Sequence, residues 1–485
     1  MKKLLLLALC VLISILTLIA CGKPKGEQTD KDNNITKAPE EKQVEENQAA
    51  ENTPVTITIG SWPTPESSDY ETHQGYIAAM KEKYPYITIE TSEYVYSVDT
   101  FLPLAASGQL PTLYSTYYTE TNKIIEAGYA ADITEVVKQN GYDAAINPDL
   151  LSLVTSGDRI YGIPVTAYSM GLWYNVSLWK EAGLVDENGV PVFPKTYEEL
   201  ARDCQIIKER TGKAGFYMLT DSNQGGWTFM NIAWSFGAEF EEKVDGKWKA
   251  TFNGPEAVAA LQYVKDLRWK YDCLQDELIS DVTGLLSTFG TDQAATSFGL
   301  YGWVSYLLSA TDYDKDNLAM SQVPAGDAGN IALMGGSVYM FSPTVTPEQV
   351  DACLKYLEVT GFTPEITEDS RTALSNKYND YANTGLPVGP VGIEVWSDPS
   401  YVDTLAEIIE THKNVDMNLW NNYCDNVSEG LRSEPPVNAQ ELYSVLDGVI
   451  QEVLTNKDAD PQALLDQAVE NFQKDYLDVA NSETN

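Results

Sequence analysis

The first folded stretch of the chain constrains the rest most. Val55-Thr56-Ile57-Thr58-Ile59 is a run of β-branched and apolar residues, stiff at χ1 and suited to a pleated surface, and Gly60-Ser61-Trp62-Pro63 ends it. A helical pattern over 70–83 follows, then Pro85 and a second such run, Ile87-Thr88-Ile89. Strand, helix and strand at this spacing predict a βαβ unit in a mostly parallel sheet, because parallel neighbours need a crossover that can hold a helix. Another strand is expected around 113–118, with 130–136 leading into the next helix. Thr196 and Glu199 have capping-box spacing, and Leu200, Cys204 and Ile207 then share one face. Asn253 and Pro255 open a helix with Ala257, Leu261 and Val264 inward. Leu442, Val445, Leu446, Val449 and Val453 mark another, and Asp460-Pro461 starts one carrying Leu464, Leu465, Ala468 and Phe472. The expectation is a large α/β protein.

Before Val55 the chain has a different character. Met1-Lys2-Lys3 precedes an apolar run from Leu4 to Ala20, which ends at Cys21. Two positive charges ahead of a short apolar stretch describe a secretory signal over residues 1–20 rather than a spanning helix. Leu18-Ile19-Ala20-Cys21 resembles the bacterial lipobox, in which the cysteine is lipidated and becomes the new N-terminus. The next segment, to residue 54, is polar throughout and has no aromatic residue. It cannot bury enough surface to offset its ordering entropy, so 21–54 is expected to be a disordered, lipid-anchored tether reaching about 30 Å. Cys204, Cys273, Cys353 and Cys424 are widely spaced with no C-x-x-C, and are expected to be buried free thiols.

Charge narrows the function classes. With 32 basic and 71 acidic residues the formal net charge is −39, which argues strongly against nucleic acid as a partner. No phosphate-binding glycine loop, zinc-protease helix or nucleophile elbow occurs. The two histidines, His73 and His412, lie in polar contexts and read as exposed bystanders. Asp312–Asn317 opens like a calcium loop but has Asn317 where glycine belongs and Val323 where the bidentate glutamate belongs, so it reads as a solvated acidic turn. A glycoside hydrolase needs only two carboxylates and stays open at this point. No cofactor or metal is implied.

Several short motifs resemble one family, the extracellular solute-binding lipoproteins of ABC importers for oligosaccharides, distantly like the maltose-binding protein. They are Ala105-Ala106-Ser107-Gly108 with Leu110-Pro111-Thr112 (Thr112 standing where the family usually has aspartate), and Glu126-Ala127-Gly128-Tyr129 with Asp132-Ile133-Thr134. Gly157-Asp158-Arg159-Ile160-Tyr161-Gly162-Ile163-Pro164 follows, then Tyr174-Asn175, Ala182-Gly183-Leu184 and 194–200. The resemblance implies a two-lobe α/β fold with three inter-lobe crossings and a ligand cleft between lobes. The first lobe would hold 55–164 and 331–385, the second 165–330 and 386–485. It further implies a non-enzymatic, monomeric receptor on the outer face of the cell membrane, handing its ligand to permease subunits served by a separate ATPase. A same-fold receptor for a peptide or polyamine is the alternative.

A sugar offers an apolar face and a rim of hydroxyls, so its site needs flat aromatics and polar acceptors. Trp62 after the first strand, Tyr117 and Tyr118 after Pro111, Tyr168 beyond Pro164, Trp227 after a glycine-rich loop and Trp303 in Gly302-Trp303 are the candidate ligand contacts. Trp179, Trp234 and Trp269 lie in apolar stripes and are expected in the core. Trp396 and Trp420 are open to either reading. For the N-terminus the test is direct. Cys21→Ser expressed in a bacterial host with labelled fatty acid should incorporate none, and continued incorporation would remove the anchor assignment.

Overall fold

The computed structural model describes residues 53–67 and 69–483. The expected signal segment, Cys21 and the tether up to residue 52 lie outside them. Among the described residues, no helix is long and apolar enough to cross a membrane. The described residues form two compact units: those up to Ser115 with Phe341–Lys377, and Thr116–Met340 with those from Tyr378 onward.

The first unit contains the expected βαβ element. β1 (Val55–Ile59) and β2 (Ile87–Thr91) pair in parallel over five residues, with α1 (Tyr70–Lys83) between them in sequence. β3 (Leu113–Tyr117) meets β1 at Ile59 and Leu113. The helix Pro347–Val359 covers β1, burying Val350, Cys353, Leu354 and Leu357 with Ile57 and Ile59. Thr346 and Gln349 start this helix with a complete capping box, and the Gln349 Nε2 group donates to the Thr56 carbonyl at 2.9 Å. Thr112 supplies an acceptor to β1. Its hydroxyl takes the Thr58 N–H at 2.9 Å.

The second unit begins with α2 (Tyr118–Glu126) and continues through β4 (Gly162–Ser169), β5 (Gly171–Asn175), α3 (Gln224–Phe236), β6 (Thr296–Gly299), β7 (Leu318–Ser321), β8 (Ala332–Phe341), β9 (Leu431–Ser433) and α4 (Ala439–Thr455). β8 runs antiparallel to β4 and parallel to β9, while β5 is the centre of a separate antiparallel sheet with β6 and β7. The expected parallel pairing holds for β1, β2 and β3, whereas the sheet around β5 is antiparallel throughout. The pairings among β4 to β9 join segments about a hundred residues or more apart, which local periodicity does not register. Thr196 caps its helix as expected by accepting the Glu199 N–H, but Glu199 returns its carboxylate to Lys195 rather than to Thr196. Cys204, Cys273 and Cys353 are buried free thiols, and Cys424 is free and half-buried.

α3 and α4 dock against each other more closely than side chains would allow. A Cβ on Gly226 would strike the backbone of Tyr443, and one on Gly225 would strike Thr220 and the Asp447 carboxylate. α3 starts from Ser222 and Asn223, both left-handed, with no cap from the Asn223 side chain. Asp447 of α4 supplies that cap from another helix. One oxygen accepts the Asn223 N–H and the other the Gly226 N–H, each at 2.7 Å. At its other side α3 holds β8, through the Leu333 N–H to Asn231 at 2.8 Å and the Ile331 N–H to Ser235 at 3.1 Å.

Burial around α4 leaves acids partly desolvated. It pushes the Asp447 carboxyl up to about 6 despite the capping hydrogen bonds. It pushes Glu241 up to about 8, with the Val437 N–H lowering it and Glu441 raising it further. A carboxyl whose folded pKa lies above its unfolded value holds its proton longer in the native state, so stability is lost as pH rises through the folded pKa. The melting temperature should accordingly fall between pH 5 and pH 8.5. The difference between wild type and Glu241→Gln should grow over that interval in favour of the variant. Melting curves that run parallel across this range would contradict it.

Candidate ligand site

In the first unit, Trp62 closely follows β1 and is 6% exposed. The turn that delivers it is tight. Ser61 is left-handed, Ser61 donates its N–H to the Tyr94 carbonyl at 2.7 Å, and Trp62 donates its own to Ser92 at 2.9 Å. His73 of α1 meets the indole edge-on with ring centres 5.1 Å apart, so this histidine is half-buried rather than the exposed bystander expected. The Trp62 indole N–H is buried without a partner.

In the second unit the site grows from two glycines of β8. Gly335 lies opposite Tyr168 of β4, and a Cβ there would land on the tyrosine ring; one on Gly336 would meet the Thr166 carbonyl and the Tyr118 ring. Both tyrosines thus rest on bare backbone, which no residue with a side chain would permit. Tyr118 is 7% exposed and Tyr117 is 47% exposed. Burial raises the Tyr168 phenol well above its ordinary value, with Glu434 and Tyr117 adding to the rise.

α3 brings the next ring. Trp227 sits one residue after the glycine pair that docks on α4, and it meets Tyr168 edge-on at 6.2 Å. On its other side lies Trp303, 5.7 Å away and tilted, which in turn rests edge-on against buried Trp173 at 6.5 Å. Tyr168, Trp227 and Trp303 therefore form one continuous run of half-buried rings, drawn from β4, α3 and the 3₁₀ turn Tyr301–Trp303. Of the six expected contacts these three touch in series, and Tyr117 and Tyr118 belong to the same neighbourhood through Tyr168 and Gly336.

Glu434, which follows β9, was missed from sequence. Its carboxyl accepts the Tyr443 hydroxyl at 3.0 Å, and the Trp227 indole N–H lies near enough to favour its ionised form. Burial pushes it up to about 7; these two donors lower it, and Glu120 of α2, 7% exposed, raises it. Nearby Arg432 is engaged elsewhere, paired with Glu239 and lying over the Trp234 ring at 4.8 Å. The only local signal was a lone acid before Pro435-Pro436, in a chain with 71 acids. The chemistry that results is flat apolar ring surface beside carboxylate acceptors, suited to groups that present C–H faces and donate hydrogen bonds.

The remaining aromatics are structural. Trp396 and Trp420 are buried, against Tyr142 and Tyr301 respectively, while Trp179 and Trp234 are core residues as expected. Trp269 is half-buried and donates its indole N–H to the Val453 carbonyl at 2.9 Å. A recess lined by Ser169, Val323, Asn330 and Tyr423 holds none of the six expected rings and is too narrow for a water. Among the described residues no group of three or more His, Cys, Asp or Glu side chains is placed to hold a metal ion. Asp312–Asn317 forms a short turn in which Asp314 accepts the Asp316 N–H at 3.0 Å.

Comparison with known proteins bears on the fold and the family. A protein of Escherichia coli (strain K12) named as an ABC transporter periplasmic-binding protein, YcjN, is 26% identical over 205 residues, covering 39% of this chain and 44% of that protein. The chain spans about half the length of the curated relatives it matches. In fold it is similar to the cyclic α-maltosyl-1,6-maltose binding protein of Arthrobacter globiformis, with a TM-score of 0.61 and 20% identity over 86% of this chain and 97% of that one. It is also similar to UgpB of Mycobacterium tuberculosis, solved in complex with glycerophosphocholine, with a TM-score of 0.62 and 15% identity over 87% and 97%. These structures establish a mixed α/β, two-lobe solute-binding fold. Residues 64–358 match the sequence model of one family over more than half of the chain, and the chain belongs to that family, the bacterial extracellular solute-binding proteins.

Proposed function

We propose that this protein captures an oligosaccharide outside the membrane and delivers it to the permease of an ABC importer, without altering it chemically. The observation that carries this reading is the run of rings Tyr168, Trp227 and Trp303 beside the Glu434 carboxyl. Ring faces cover the C–H surface of a pyranose, and a carboxylate beside them offers a strong acceptor for a sugar hydroxyl. The solved neighbour named for a cyclic maltosyl maltose supports a saccharide. The neighbour in complex with glycerophosphocholine shows that the fold alone does not choose the solute, so the choice rests on the rings and acceptors.

The finer organisation belongs to the same proposal. The lobes run over 55–164 with 331–385, and over 165–330 with 386–485. Cys21 carries a lipid, residues 22–54 tether the folded body, and the receptor works as a monomer at the outer face of the cell membrane. Tyr117, Tyr118 and Trp62 serve with the ring run as ligand contacts. ATP hydrolysis belongs to a partner, since no phosphate-binding loop occurs in the sequence.

A thermal-shift screen over neutral oligosaccharides tests the ligand class, because a ligand at about 100 times its Kd adds about 2.7 kcal/mol of stability. Chromatography of the recovered ligand should return it intact. With a ligand in hand, Trp303→Ala should weaken binding roughly thirtyfold, the loss of about 2 kcal/mol common for an aromatic anchor. The apo melting temperature should stay close to wild type. A drop matching the about 3–5 kcal/mol of a core cavity, with affinity unchanged, would make Trp303 a core residue instead.

A further inference from the structure

The 3₁₀ turn Tyr301–Trp303 carries the last ring of the run, and its support is uneven. β6 leads into it, with Gly299 opposite Gly171 of β5. Its middle residue, Gly302, is exposed, and a Cβ there would meet nothing within 4 Å. The rings on either side of Gly302 hold the turn. Two positions apart at three residues per turn, the side chains of Tyr301 and Trp303 leave it about 120° apart, so one can anchor while the other faces a ligand. Trp303 rests on Trp173, whereas Tyr301 reaches a different part of the unit. Its ring meets buried Trp420 edge-on at 5.9 Å, and its hydroxyl donates to the Pro387 carbonyl at 3.1 Å.

That carbonyl is itself held in place. Asn414 clasps the residues on both sides of Pro387. Its Nδ2 group donates to the Leu386 carbonyl at 2.9 Å, and its Oδ1 accepts the Val388 N–H at 2.8 Å. Its own N–H donates to the Val388 carbonyl at 3.0 Å, and its carbonyl accepts from Lys315 Nζ at 2.8 Å. Each polar atom of Asn414 thus has a partner, and the Pro387 acceptor is fixed before Tyr301 meets it. We propose that Tyr301 is a positioning residue for Trp303, its hydroxyl pinning the turn to the Leu386–Val388 segment, and that ligand affinity depends on this bond. This rests on the reading of the ring run as the ligand's seat. A binding side chain must be held within about 0.5 Å and 10–20° of its productive geometry, and a backbone carbonyl clasped from both sides gives the turn such a reference point. Phenylalanine at 301 would keep the ring against Trp420 and lose the pin.

The test removes one oxygen. In ligand-free Tyr301→Phe the indole N–H resonance of Trp303, assigned by its loss in Trp303→Phe, should shift or broaden. The resonance of core Trp179, which donates to Thr296, should stay in place, and the melting temperature should stay close to wild type. Maltotriose and xylotriose are the probes for affinity. For whichever binds, Kd should weaken about fivefold in Tyr301→Phe, the effect of one lost neutral hydrogen bond. Asn414→Ala loosens the acceptor from its other side. It should weaken Kd by itself, and adding Tyr301→Phe to it should cost less than about twofold more, because both changes break one connection. An unmoved Trp303 resonance or an unchanged Kd in Tyr301→Phe overturns the proposal, as does full additivity in the double variant. Should Asn414→Ala fail to fold, Tyr301→Phe decides alone. If no oligosaccharide binds while the Trp303 resonance moves as expected, the saccharide reading fails and the positioning role of Tyr301 stands.

Discussion

The Asp447 carboxylate is the interaction on which the site of the second unit depends. A helix start made from two left-handed residues has free N–H groups and no cap of its own, and here the cap comes from a helix more than two hundred residues away. That bond lets α3 and α4 approach at glycine distance. It also sets the rotation of α3, and with it the direction in which Trp227 leaves the helix. Asn231 and Ser235 tie the same helix to β8, so the floor of the ring run and its wall share one rigid element. A site built on helices and strands in this way holds its rings more precisely than one built on loops.

Acidity has two separate meanings in this chain. Among the described residues most acids are exposed or half-exposed, where their charge is hostile to polyanions. A few acids are different in kind. Asp447, Glu241 and Glu434 are withdrawn from water around α4, and their protons are held more tightly as a result. Composition records the first group and is blind to the second, because position alone sets an acid's affinity for its proton.

Much of the frame was legible in the sequence. The β-branched runs at Val55 and Ile87 and the helix between them declare the βαβ element through local pattern alone. The Asp460-Pro461 start and the Thr196 cap are equally local, and both occur. Trp227 and Trp303 stood out because glycine-rich turns rarely feed a core, and the structure brings their rings together. Glu434, Glu120 and Tyr443 could not be read this way. Their importance lies in contacts across β9, α2 and α4, and an isolated acid before two prolines looks like any surface turn. Trp396 and Trp420 show the converse, since an aromatic in a poorly patterned stretch is buried by partners that the local sequence does not reveal.

The glycine pair of β8 has a consequence for how such a site can change. Because Tyr168 and Tyr118 rest on main chain, the floor beneath the rings has a shape that side-chain drift in its neighbours cannot alter. Variation in the rim, at Trp303 for example, can then exchange one solute for another without shifting strand register. The two glycines act as a datum surface: everything above them is free to be retooled, and they themselves are not.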